Sequence, residues 1–173
     1  PESVYLAAQI RSKYPFKSKG ESGVVRPNMT SHPQFIKDLA ENAVHAVVRA
    51  YKKYCLSSKG NRTCSAGDAL PLVYVTADAP EVVSYLKRDS VFARNESVPS
   101  VRIFGLETME RPHVEFSRTR KASDLFPAFV DLWILGNSVC VSYGMGGFGY
   151  LGAMLSGGNC MAEHRKSGFQ LLG

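Results

Sequence analysis

At 173 residues, with 45% hydrophobic and 21% charged side chains, the chain has the size and composition of one globular domain that can bury its own core. A net charge of +6 and a pI near 9.2 favour anionic partners, but Lys and Arg cluster only at residues 13–19 and 118–121, with no RNP motif, zinc-finger spacing or basic helix-turn-helix. That pattern suits one phosphorylated ligand better than nucleic acid, and no run reaches the roughly 18 to 20 apolar residues of a membrane span, so this segment is expected to make no membrane contact.

Residues 4–10 read as a buried strand with only three residues before it, so any leader or anchor is expected outside this chain. A polar loop over residues 11–32 follows, then a long helix from Pro33, where proline suits the first helical position. Ile36, Leu39, Ala43, Val47, Ala50 and Tyr54 recur at three- and four-residue steps and mark its buried face; His45 and Arg49 fall off that stripe and read as solvated. Residues 70–76 form a second strand, 79–88 a short helix, and 101–106 a third strand. The polar segment ETMERPHVEFSRTRK leads to a helix over 123–136, a strand over 138–142, the turn YGMGGFGY, a helix over 149–155 and a polar, glycine-rich tail. Strands alternating with helices predict an α/β domain: a Rossmann-like parallel sheet flanked by helices, with its ligand at the C-terminal ends of the strands.

Cys55, Cys64, Cys140 and Cys160 show no metal-binding spacing. Cys55 and Cys64 bracket the loop LSSKGNRT as a disulfide would, whereas Cys140 lies in an apolar strand and reads as a buried thiol, with pairing to Cys160 the alternative. Asn28, Asn61 and Asn95 open N-x-S/T sequons in loop-like segments, which together with the bracketing cysteines favours the lumen of the secretory pathway.

Three strand ends carry residues suited to a nucleotide diphosphate. Arg11 follows the first strand, and its guanidinium can hold phosphate bidentately; an arginine that merely ends a strand at the surface fits the position equally well. Ser142, Gly144, Gly146, Gly147 and Phe148 belong to a strand-to-helix turn whose backbone N–H groups can approach phosphate; close packing of helix on strand explains the glycines equally well. The turn matches neither the dinucleotide fingerprint nor a P-loop. Asp78 at the second strand's end can accept from a ribose hydroxyl or a base N–H, though a helix N-cap is the stronger reading. Asp131 lies within the apolar run FPAFVDLWIL, where its carboxylate requires hydrogen-bond donors, from a guanine edge or from a buried clamp.

The segment RKASDLFPAFVDLWILGNSVCVSYGMGGFGYLGAMLSGG, about 40 residues, resembles the C-terminal donor-site region of the plant-type, xyloglucan-related branch of the fucosyltransferase superfamily. Gln9-Ile10-Arg11 resembles the arginine motif of the wider GDP-fucose-dependent group; the rest of the chain matches in pattern only. The resemblance implies one lobe of a two-lobe GT-B glycosyltransferase in the Golgi, the C-terminal half of a longer enzyme whose N-terminal lobe binds a glycan or glycoprotein acceptor. The reaction would be inverting fucosyl transfer from GDP-fucose, without metal or other cofactor, and the absence of a D-x-D agrees with that. Arg11 would neutralise the departing pyrophosphate, Asp131 would read guanine, and Arg120 and Lys121 would approach the phosphates, unless they form a solvated helix entrance. One departure stands out: Gly146-Gly147 occupies the place where relatives carry Ser or Thr before the Phe, so a phosphate-binding hydroxyl is missing. Another nucleotide sugar, or a non-catalytic glycosyltransferase-like binding module, are the alternatives.

Overall fold

The computed structural model describes residues 5–11, 33–57, 71–88, 91–92, 100–106, 121–144 and 146–164. Its strands are β1 (Tyr5–Ile10), β2 (Leu72–Ala77), β3 (Val91–Phe92), β4 (Val101–Phe104), β5 (Cys140–Tyr143) and β6 (Met161–Glu163). The helices are α1 (Pro33–Leu56), α2 (Pro80–Arg88), α3 (Phe126–Gly136), entered through a 3-10 turn at Ala122–Leu125, and α4 (Gly147–Leu155). The strands lie in the order β3-β4-β2-β1-β5-β6; all neighbours run parallel except the short β3–β4 pair. This is the expected Rossmann-like architecture, five parallel strands flanked by four helices.

Side-chain alternation along the strands sorts the core into two layers. Leu6, Ala8 and Ile10 of β1 and Val73, Val75 and Ala77 of β2 pack with α1 and α2, alongside Ala40, Ala43, Val44, Val47 and Leu86. Ala7, Tyr74 and Val141 face the other way, toward Leu135 of α3 and Ala153 of α4. Near-continuous apolar strands buried on both faces are what a parallel sheet requires. The α3–α4 layer closes tightly because Gly152 has no side chain: a Cβ there would stand 2.7 Å from that of Leu135. The outer surface of this layer stays apolar, with Phe126, Phe129, Trp133, Leu151 and Leu155 all exposed.

Two sequence expectations need correction here. His45 is half-buried rather than solvated, and burial is the main influence that lowers its pKa, followed by Arg49. Cys140 is not a thiol: it is disulfide-bonded to Cys160 and joins β5 to the start of β6. Cys55 is also disulfide-bonded, while Cys64, its expected partner, lies outside the described residues. Among the described residues no helix is long and apolar enough to cross a membrane.

The connections fix where a ligand can enter. From β1 the chain moves outward through β2 to β4, then returns to the opposite side of β1 to form β5 and β6. α1 and α2 cover one face on the outward path, α3 and α4 the other on the return. The direction therefore reverses between β1 and β5, the place beyond the C-terminal strand ends where sheets of this kind bind their ligands.

Candidate functional site at the C-terminal ends of β1, β5 and β6

Backbone hydrogen bonds hold the three strand ends together: Gly144 N–H donates to Gln9 O at 3.3 Å and His164 N–H to Tyr143 O at 3.1 Å. Arg11 leaves β1 at this edge and α4 begins beside it. Gly146, the residue before α4, has φ of 99°, which favours glycine. A Cβ on it would also stand 2.5 Å from Nη1 of Arg11. The guanidinium is thus seated on the bare backbone at the helix entrance, where the first N–H groups of α4 have no intrahelical acceptor.

The glycines of the turn have separate reasons. Gly149, in the first turn of α4, lies on β1 and β5: a Cβ there would meet the Gln9 carboxamide and stand 2.7 Å from the Tyr143 Cβ. Among the described residues nothing lies within 4 Å of the place a Gly147 Cβ would take, so their packing does not demand glycine there. A larger residue before Phe148 would therefore meet no steric obstacle among the described residues. Phe148 packs partly buried against the α3–α4 core.

Two of the expected ligand residues are engaged inside the fold. Ser142 is fully buried on the α1 side of β5 and donates its hydroxyl to Ala43 O at 2.8 Å, so it does not face the turn. Asp131 is 1% exposed; Tyr74 O–H donates to one carboxylate oxygen at 2.5 Å and Thr76 O–H to the other at 2.6 Å. It clamps α3 to β2, the buried-clamp alternative, and Thr76 is the register partner of Gln9. Asp78 stands one strand further along, its N–H bonded to Ile10 O at 3.3 Å. Lys121 is exposed before the 3-10 turn. Arg120, Asn28, Asn61 and Asn95 lie outside the described residues.

The sequence alone assigns no role to two side chains at this edge. Gln9 is 7% exposed, and its Oε1 has no hydrogen-bond partner among the described residues. His164, directly after β6, is 8% exposed with both ring nitrogens unpartnered among the described residues, and burial pushes its pKa down to about 4. Its Nε2 stands 3.0 Å from where a Gly144 Cβ would be. Nearby, Tyr143 stacks edge-on with Tyr150 at 5.7 Å, and burial, then Glu163, then Tyr150 keep its phenol protonated to higher pH. A cation at a helix entrance can hold an anionic head, with the Gln9 carboxamide and the His164 ring as uncharged polar groups nearby and the Glu163 carboxylate beside Tyr143. Among the described residues no cluster of His, Cys, Asp or Glu could hold a metal ion. Comparison with protein-family models, curated proteins and solved structures gives no match.

Proposed function

We propose that the chain is the donor-binding lobe of a GT-B glycosyltransferase of the fucosyltransferase type, taking GDP-fucose and acting in the secretory pathway on a glycan or glycoprotein acceptor held by a second lobe. One observation carries this reading: the Arg11 guanidinium is seated on Gly146 at the entrance of α4, at the point where the strand order reverses. A diphosphate placed there would meet the guanidinium and the first backbone N–H groups of α4 together, a combination that can stabilise a departing nucleotide without a metal. Arg11 would bind the pyrophosphate and neutralise the charge that develops as the glycosyl bond breaks. Asp131 acts at one remove, holding α3 against β2 beneath the crevice.

A second reading, binding without turnover, is favoured by Gly147, which offers the phosphates no hydroxyl although there is room for one. Calorimetric titration with GDP, GDP-fucose, UDP and ADP tests the proposal. Preference for the two guanine nucleotides is the expected result, with Arg11→Ala weakening both by roughly 30-fold or more, the loss of a charge-assisted contact. Equal affinity for all four, or affinity indifferent to Arg11, contradicts it. Fucose release from GDP-fucose in the presence of acceptor separates turnover from binding alone.

A further inference from the structure

Among the described residues neither ring nitrogen of the buried His164 has a hydrogen-bond partner, an arrangement that costs free energy unless something completes it. The ring is fixed from two sides: its backbone N–H is bonded to Tyr143 O, and Nε2 lies over the Gly144 backbone at the head of the β5–α4 turn. Gln9 Oε1, a second orphaned acceptor, sits on the other side of that turn, against Gly149. These groups are chemically unlike Arg11. With its pKa near 4 the imidazole is neutral at physiological pH, so it offers one N–H donor and one lone pair. A phosphate oxygen, which only accepts, satisfies just the first of these; hydroxyl groups, which donate and accept, satisfy both.

We infer that His164 is a specificity-determining residue of this crevice, holding a sugar hydroxyl of the bound nucleotide while Arg11 and the entrance of α4 hold its phosphates. The inference rests on the nucleotide-sugar reading above and assigns that ligand's uncharged part to the β6 side of the turn. Gly144 is part of the arrangement, since a larger residue there would push against the ring.

The test uses the 173-residue chain, the variants His164→Phe and His164→Leu, and three probes: GDP-fucose, GDP and 2′,3′-dideoxy-GDP. Both variants should fold with a Tm at or above that of the parent, because they remove unsatisfied polar atoms, and should lose about tenfold in affinity for GDP-fucose, the value of one hydrogen bond. Affinity for dideoxy-GDP should not change. A loss shared by GDP assigns the contact to the ribose; a loss confined to GDP-fucose assigns it to the transferred sugar. Unchanged affinity for all three probes, an equal loss for all three, or a lowered Tm in both variants overturns the inference. If the parent chain binds none of them, the nucleotide-sugar reading fails and this inference with it. Guanine-selective binding that ignores His164 removes this inference alone.

Discussion

The two ends of the sheet are built on different terms. At the N-terminal end, Tyr5 donates to Ile134 O, Ser138 to Leu135 O and Asn137 to Trp133 O, and the Cys140–Cys160 bond fastens β5 to the start of β6. At the C-terminal end, Gln9 and His164 bury polar atoms without partners among the described residues, and Arg11 rests on a glycine in an unusual conformation. The same strands run through both ends, so fold requirements alone do not explain the contrast. If the second end is kept for a ligand, as the proposed function requires, disturbing the two ends should have different consequences.

The contrast can be broken most severely at the closed end. Replacing Cys140 and Cys160 by serine opens a loop with a sequence separation of 20 residues and should lower unfolding free energy by about 3 kcal/mol, read by denaturant titration. Nucleotide affinity of the fraction that remains folded should hold, since the bond lies at the opposite end of β5 from the turn.

At the open end, His164 should make stability depend on pH. Its folded pKa of about 4 lies below the unfolded value of 6.5, so the unfolded chain binds the proton first as pH falls. Stability is therefore complete above about pH 6.5 and declines toward pH 4, by about 3 kcal/mol from this one group. Denaturant titrations across that window should show the decline in the parent and a flatter profile in His164→Phe; parallel profiles would mean that the ring is not held neutral.

Smaller effects sharpen the picture of the turn. Gly149→Ala drives a methyl into Gln9 and Tyr143 and should cost about 1–3 kcal/mol by overpacking, measured by thermal unfolding, with weaker nucleotide binding as α4 shifts. Gly147→Ser has room for its side chain and should leave Tm nearly unchanged while tightening binding of GDP a few-fold, through one added hydroxyl at the helix entrance. A large drop in Tm for this variant would mean that the open space at Gly147 is not open.

Much of this architecture is legible in the sequence because it follows period. The α1 stripe of Ile36, Ala43 and Val47 is buried as its spacing requires, and the apolar runs of β1, β2 and β5 fall where the strands lie. β3 and β6, with two and three residues, are too short to leave such a trace. Without β6 the tail has no register, and His164 reads as one histidine in a polar segment; only its pairing beside β5 brings the ring to Gly144. α4 starts two residues before the helix that periodicity predicts, because its first turn carries two glycines, which helix propensity disfavours. Ser142 does carry a local signal: in a strand it shares a face with Cys140, opposite Val141 and Tyr143, and so turns to α1 and away from the ligand turn. Asp131 is marked by its apolar surroundings, but its partners Tyr74 and Thr76 lie more than 50 residues earlier in the chain, which local pattern cannot connect.

Amide hydrogen exchange with and without saturating GDP-fucose tests the central claim, that the open end of the sheet is the ligand site. Protection should appear at residues 9–11, 143–150 and 164, and should be absent at the Cys140–Cys160 end and on the outer face of α3. No change on adding the nucleotide, or protection centred on Phe126, Phe129 and Trp133 instead, would contradict it.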